Sequence, residues 1–163
     1  MRSGIPAIAA LSAAALSAAA IFAAEPAPVP YPDGYRSWRH VKSMVIQEGH
    51  PLYESFGGIH HIYANEPALE GYRTGSFPDG AVIVFDLLEA SADGNAITEG
   101  ARKVVGVMHK DDDRYASTGG WGFEGFAGDS RTDRVVGDQA AAACFACHQA
   151  QAGADYVFSA YRP

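Results

Sequence analysis

The chain has 163 residues, of which 12 are basic and 19 acidic, for a formal net charge of −7. This length suits one domain with its own core. The acidic balance, without any cluster of Lys or Arg, argues against nucleic acid as a partner, and the chain has no internal repeat.

The first 24 residues have the pattern of a secretory signal peptide. Arg2 precedes an Ala-rich apolar run over residues 5–24, and a Pro-rich stretch follows. The run is near the lower length limit of a transmembrane anchor, but its Ala content makes it only weakly apolar. We therefore predict cleavage between residues 20 and 27, with a periplasmic mature protein that has no stable membrane insertion. Residues 25–32 (EPAPVPYP) are predicted to be a polyproline-like leader outside the core.

The elements that follow are mainly β. A short helical turn is predicted at residues 35–39. Strands are predicted at residues 40–47, 58–64, 81–89, 103–110 and 121–126. Asn65 is expected to cap a helix that has Pro67 in its first turn and ends at Gly75. With a C-terminal helix, these elements predict an α+β domain over residues 33–163, in which a mainly antiparallel β-sheet is accompanied by a few helices.

Both cysteines of the chain lie in one motif, Cys144-Phe145-Ala146-Cys147-His148. A disulfide between them would close a very small loop and stabilise little. A thioredoxin-like redox pair is expected early in a chain, and a structural zinc site needs four ligands, for which no second cysteine pair exists. The His directly after the second Cys is typical of covalent attachment of haem c. We therefore predict one haem c, attached at Cys144 and Cys147.

Helical spacing gives this motif its physical basis. Gly137 and Asp138 offer an N-cap, and the Ala-rich run after them favours a helix. On a helix, Cys144 and Cys147 share a face, and His148 is four residues from Cys144. The thiols would then bond the two haem vinyl groups, and His148 is predicted to be the iron ligand.

The position of the motif also bears on the sixth iron ligand. Small electron-transfer cytochromes take a downstream Met for this role. Here no Met follows His148, and the three Met residues are Met1, Met44 and Met108. A sixth ligand would have to come from upstream, which counts against a simple electron carrier.

Four strand residues have ambiguous roles. His60 and His61 are neighbours on a predicted strand, so they face opposite sides of the sheet and at most one points to the haem. Glu124 lies among apolar residues, and we expect it on the solvent side of an edge strand, with a proton-handling role near the haem as the alternative. Phe85, on strand periodicity alone, is expected to fill the core.

Several segments form a set whose order and spacing are informative over the whole mature chain. They are residues 35–38 (YRSW), 72–75 (YRTG), 77–84 (FPDGAVIV), 110–116 (KDDDRYA), 120–123 (GWGF) and 155–158 (DYVF), together with the haem motif. This set resembles the cytochrome P-460 and cytochrome c′-beta family. Only the haem motif is specific by itself.

The resemblance implies a mainly antiparallel β fold, a homodimer, and a five-coordinate haem whose open face binds nitric oxide or related small nitrogen ligands. The hydroxylamine-oxidising enzymes of the family carry a Lys, joined to the haem edge, in the strand after the Asp-Gly turn. The c′-beta members lack that bond and have an apolar, Phe-lined distal pocket.

Two positions depart from the enzyme pattern. Phe85 stands where the cross-linking Lys would fall, and none of the chain's three lysines aligns with it. His60 or His61 stands about where the enzymes place a polar distal Arg. The resemblance therefore implies that Phe85, with His60 or His61, lines the distal pocket.

The leading hypothesis is a periplasmic mono-haem c-type cytochrome that binds nitric oxide or a related small ligand, with a redox partner. A hydroxylamine-oxidising enzyme is the first alternative, and an electron-transfer cytochrome c is the second. No residue is assigned a catalytic role.

Overall fold

One antiparallel sheet is the centre of the fold. A computed structural model describes residues 28–162, and in this range the chain forms five strands in a single sheet. They are β1 (Arg39–Ile46), β2 (Gly58–Ala64), β3 (Val82–Asp93), β4 (Ala96–Lys110) and β5 (Trp121–Ala127). Their order in the sheet is their order in the chain, so strands that are neighbours in sequence are paired.

Short helical elements flank the strands. Helix α1 (Tyr53–Phe56) and helix α2 (Glu66–Thr74) precede and follow β2, and 3-10 turns form at Tyr35–Ser37 and Ala116–Thr118. A C-terminal helical segment follows at residues 137–154. The predicted α+β fold, with a helix at the C-terminus, is therefore confirmed. None of these helices is long and apolar enough to cross a membrane.

Helix α2 begins and ends where the sequence predicts. The Asn65 side chain accepts a hydrogen bond from the Ala68 N–H (3.0 Å), which caps the helix. Gly75 ends it with a φ of +83°, a left-handed conformation that glycine adopts at little cost. Asn65 also accepts from the Val82 N–H and donates to the Gly80 carbonyl, both at 2.9 Å. One side chain thus ties α2 to the start of β3.

Replacing Asn65 with Ala is expected to lower the free energy of unfolding by about 2 kcal/mol, because the helix cap and two further hydrogen bonds are lost. Urea unfolding followed by circular dichroism should show a lower midpoint with an unchanged slope. Asn65→Asp is the matched control, since it keeps the accepting oxygen and should lose less than half as much. Equal losses in the two variants would contradict the capping role.

The hairpin between β3 and β4 is longer than predicted. The sequence predicts strands at 81–89 and 103–110, whereas the observed strands continue to a turn at Gly94 and Asn95. Both turn residues have positive φ (+54° and +64°), which is the type I′ geometry of two-residue hairpins. The added residues are mostly exposed on both sides, so they carry no apolar alternation that would predict a strand.

The sheet has an apolar core on each side. One side, the C-terminal face, packs against α2 and the C-terminal residues, and its buried core comprises Val41, Ile62, Ala64, Ala68, Leu69, Phe77, Ala81, Ile83, Trp121, Phe123 and Val157. The other side is the N-terminal face, whose buried core comprises Val29, Tyr35, Val84, Val105, Val107, Tyr115 and Phe126. Alternate residues of a strand serve the two faces, as Ile83 and Val84 do.

The Pro-rich leader contributes to the core, contrary to the prediction. Val29 is 4% exposed within the N-terminal face, and the Tyr31 ring meets the Phe126 ring edge-on at 5.0 Å. The Arg134 guanidinium donates to the Val29 carbonyl (2.8 Å). The prolines suggested a segment without packing, but the apolar side chains between them cover this face. The predicted signal peptide and residues 25–27 lie outside the described residues.

Candidate functional site

The C-terminal helical segment is irregular, with a kink at Gln151. A 3-10 turn at Gly137–Gln139 leads into a π-helical turn at Ala140–Phe145, a short α-helix α3 at Ala146–His148 and a second 3-10 turn at Gln149–Ala154. The regular helix expected from the sequence is therefore widened in the turn that contains Cys144. Such π-helical turns occur frequently at functional sites.

Glu124 holds the start of this segment, and Asp138 makes no cap. The Glu124 carboxylate accepts hydrogen bonds from the backbone N–H groups of Val136 and Gly137, both at 3.2 Å. It also pairs with the Arg134 guanidinium at 2.8 Å. Because Glu124 is 5% exposed, the expectation that it faces solvent is wrong. Burial alone would raise the pKa of Glu124, but these donors hold the pKa below its ordinary value and keep the carboxylate charged.

The imidazole of His148 is fixed in one orientation. Its Nδ1 lies 2.7 Å from the Tyr156 carbonyl oxygen, which only accepts, so Nδ1 carries the proton and donates it. The ring also contacts Phe123 and Phe158, with ring centroids 5.0 Å away in each case. Burial lowers the pKa of His148, although the bond to Tyr156 opposes this, so the imidazole is neutral at pH 7. Within residues 28–162 its Nε2 has no hydrogen-bond partner, which leaves this atom available to a metal.

Cys144 and Cys147 are both free thiols. Cys144 is half-buried against the core of the C-terminal face, and burial raises the pKa of its thiol. Cys147 is exposed. Two unpaired thiols one helical turn apart, followed by a neutral His, are what the predicted haem attachment requires.

Three aromatic rings form a cluster elsewhere on the C-terminal face. Phe85 pairs with Ile62 across β2 and β3, and His60 is two residues from Ile62, so these side chains share one side of the sheet. The His60 ring lies 4.5 Å from the Phe85 ring, and the Phe56 ring meets Phe85 edge-on at 5.8 Å. We call Phe56, His60 and Phe85 the ring cluster.

His60 is the polar member of the ring cluster and lacks a partner. Its side chain is 5% exposed, and its buried Nδ1 has no hydrogen-bond partner among the described residues. Burial lowers the pKa of His60 to about 4, so the imidazole is neutral at pH 7. This buried nitrogen is therefore available to a water or to a group from outside the chain.

His61 faces the other side of the sheet, as expected for neighbours on a strand. Its Nδ1 lies 2.6 Å from the Ser43 hydroxyl, and its Nε2 lies 2.6 Å from a Glu99 carboxylate oxygen. The Ser43 hydroxyl is also 2.9 Å from Nε2 of His40. Of the two adjacent histidines, only His60 lies in the ring cluster, and His61 does not.

The residues around the motif and the ring cluster fit a haem. Phe85 and Cys144 pack against the same buried core, so both groups belong to one face. Large apolar rings are left exposed beside each of them, with Phe56 41% exposed and Phe158 54% exposed. A porphyrin would cover such surface, and the free Nε2 of His148 would meet its iron.

Three contributors to this site carry little signal in the sequence. Tyr156 acts through its backbone carbonyl, which every residue type possesses. Phe56 lies in a four-residue helix before two glycines, a segment without a strong pattern. Phe158 belongs to residues 155–158 (DYVF), one of the segments that resemble the family. The resemblance assigns no role to this Phe.

Comparison with known families also supports a haem site in this chain. The family model described as Cytochrome P460 matches residues 32–159, well over half of the chain. The match covers the haem motif and the ring cluster. A comparison with curated proteins found no match.

Proposed function

The chain belongs to the cytochrome P460 family, and from this premise we propose that it is a periplasmic c-type cytochrome whose single haem binds nitric oxide or a related small nitrogen ligand. Family membership confirms the resemblance and implies the haem. The observation that carries the proposal is the state of His148, a neutral imidazole with Nδ1 engaged and Nε2 free beside two free thiols. No residue is given a catalytic role.

Cys144 and Cys147 would hold the haem by thioether bonds, formed when each S–H adds across one vinyl group. Cys147 is exposed and directly accessible, whereas Cys144 lies at the edge of the core. When bound, the haem supplies an iron with one open coordination position for a small ligand. The thiols would fix the haem against the C-terminal face.

His148 would bind the iron through Nε2. The Nδ1–H bond to the Tyr156 carbonyl fixes the ring and makes Nε2 a more basic ligand. Nothing in residues 149–162 offers a downstream Met as a sixth ligand. Of the upstream Met residues, Met108 packs against the core and Met44 is on the edge strand β1, 44% exposed. This arrangement favours an open iron position.

The ring cluster supports a neutral ligand. Phe85 and Phe56 present apolar rings, which offer no solvation to a charged group. His60 adds no charge at pH 7, because burial lowers its pKa to about 4. A site of this kind favours nitric oxide over anions such as nitrite.

The lysines give no support to the cross-link of the hydroxylamine-oxidising enzymes. Phe85, at the aligned position, has no amine. Lys103 donates to a backbone carbonyl before β2 (2.7 Å), and the Lys110 ammonium is held between two carboxylates at 3.0 and 3.1 Å. Lys42 is exposed on β1. Hydroxylamine oxidation therefore ranks second, and electron transfer ranks third.

Absorption spectra of the mature protein, produced with haem-attachment machinery, test the proposal. Ferric and ferrous spectra are recorded before and after addition of nitric oxide. We expect a high-spin, five-coordinate haem with an ordinary c-type Soret band that changes on binding the gas. A strongly red-shifted ferrous Soret band would mean a modified haem and would favour hydroxylamine oxidation. A low-spin ferric spectrum without gas binding would favour an electron carrier.

Export, a homodimer and a redox partner are part of the same proposal. The N-terminal sequence of protein recovered from periplasmic extract tests export, because the first residue should follow a cleavage between residues 20 and 27. Light scattering tests the homodimer, which should have the mass of two mature chains. A redox partner should reduce the ferric protein in a mixed assay with the same periplasmic extract.

Replacing Phe85 with Ala is expected to raise the affinity of the haem for imidazole, a bulky ligand, about tenfold. The ring contacts of Phe85 with His60 and Phe56 disappear, and the space they occupied becomes open to the ligand. Titration with imidazole, followed by absorption, measures the dissociation constant. Ile97→Ala is the control, because Ile97 is exposed near the turn of the β3–β4 hairpin, and it should change the constant less than twofold. An unchanged dissociation constant in Phe85→Ala would show that Phe85 does not line the ligand pocket.

A further inference from the structure

We propose that Asp155 is a positioning residue for His148, because it holds the backbone turn whose carbonyl fixes the imidazole. The inference rests on the proposed haem site, in which His148 is the iron ligand. It depends on an ion pair and hydrogen bonds that join Asp155 to residues far from the haem motif in sequence.

The turn after the C-terminal helical segment contains two consecutive residues in the left-handed region. Asp155 has a φ of +49° and Tyr156 a φ of +64°. This conformation is unfavourable for a residue other than glycine. It persists only where surrounding contacts impose it. Here it turns the Tyr156 carbonyl back towards His148, while the Tyr156 N–H donates to the Gln151 carbonyl (2.8 Å).

Asp155 supplies the contacts that impose this turn. Its carboxylate accepts hydrogen bonds from the Phe77 backbone N–H (2.8 Å) and from the Lys110 ammonium (3.1 Å). Its backbone carbonyl accepts from the Trp121 indole N–H (2.9 Å). The three donors come from the loop after α2, the end of β4 and the start of β5. Asp155 is therefore held by three separate parts of the sheet domain.

Lys110 makes this attachment strong, because it is a buried cation. Its side chain is 6% exposed, and its ammonium also contacts Asp112 (3.0 Å) and the Gly119 carbonyl (3.1 Å). Burial would lower the pKa of Lys110, but the hydrogen bonds to Asp112 and Asp155 raise it, so the charge remains. Loss of a partner to a buried charge is costly, so Asp155 is kept in place.

The effect of the turn on the imidazole is electronic as well as geometric. A carbonyl that accepts the Nδ1–H bond increases the electron density of His148 at Nε2. A more basic axial ligand stabilises ferric iron relative to ferrous iron. Asp155 thus acts on the iron through the backbone of Tyr156 and the His148 ring.

The holoprotein of Asp155→Ala tests this inference. The ferrous iron–histidine stretching band in the resonance Raman spectrum should move to lower frequency. The one-electron reduction equilibrium should shift about tenfold towards the ferrous form, which corresponds to about 59 mV. Asp155→Asn keeps an acceptor for Phe77 but no charge for Lys110, and it should shift both readouts in the same direction. It serves as the test if Asp155→Ala does not fold.

Asp112→Ala is the matched control, since it removes the other carboxylate at Lys110 and leaves the turn intact. It should leave both readouts at their wild-type values. Wild-type values in the Asp155 variants would overturn the inference, and so would equal shifts in Asp112→Ala. Absence of an iron–histidine band in the wild-type protein would instead overturn the proposed function, because the ferrous iron would then either lack His148 as its ligand or carry a sixth ligand that closes the open position.

Discussion

Replacing both cysteines, Cys144→Ser together with Cys147→Ser, is expected to abolish covalently bound haem. Each thiol forms one of the two thioether bonds of the proposed site, and a serine hydroxyl does not add to a vinyl group under these conditions. A denaturing gel stained for haem should show a band for the wild-type protein and none for the double variant. Both proteins are produced with the same attachment machinery and compared at equal protein loading.

The single variants separate the two thiols. Cys147 is exposed, so Cys147→Ser should leave the free energy of unfolding nearly unchanged. Cys144 packs against the core, and Cys144→Ser puts a hydroxyl there at a cost of about 1–2 kcal/mol. Each single variant keeps one thioether bond and should stain. A stained band in the double variant would contradict covalent attachment through this motif.

The stability of the protein is expected to fall as the pH drops from about 6.5 to about 4, and His60→Phe should remove the part of this fall that His60 causes. Burial lowers the pKa of His60 to about 4 in the folded protein, from 6.5 ordinarily. Between these values the unfolded chain binds a proton that the folded chain does not. The free energy of unfolding therefore decreases by up to about 3 kcal/mol on acidification. Above pH 6.5 His60 contributes no pH dependence.

Urea unfolding of the wild-type protein and His60→Phe at pH 7.5 and pH 4.5 measures this contribution. Burial also lowers the pKa values of His109 and His148. These two histidines therefore lower the stability on acidification in the wild-type protein and in the variant alike. The difference between the two proteins therefore reports His60 alone. Phe keeps the ring contact with Phe85 and removes the unpartnered Nδ1, so stability at pH 7.5 should be equal or higher. The same loss on acidification in both proteins would refute the role given to burial.

Elements with strong local signals are predicted closely by the sequence. Strand β2 covers the residues expected for it, 58–64, because its apolar run is bounded by glycine and by the Asn65 cap. Helix α2 ends at Gly75, because this glycine adopts the left-handed conformation that ends a helix. These predictions succeed because each depends on residues within one or two turns.

Features that depend on tertiary contacts are not predictable in this way. The burial of Glu124 arises because residues 134–137 cover β5, and nothing in the strand itself shows this. The choice between His60 and His61 depends on which face holds the ring cluster. Since both faces have an apolar core, alternation along β2 gives no answer. The role of Asp155 requires donors from three distant segments, which no spacing in the sequence brings together.

The order of the strands has a consequence for folding. All five strands lie before residue 128, and each pairs with its neighbour in sequence, so the sheet forms through short loop closures. The haem motif follows the whole sheet in the chain. We therefore expect the sheet to form while the motif is still an unstructured tail, open to the enzymes that attach haem. Docking of that tail would complete the C-terminal face last. Haem attachment and completion of this core would then take place together, late in folding.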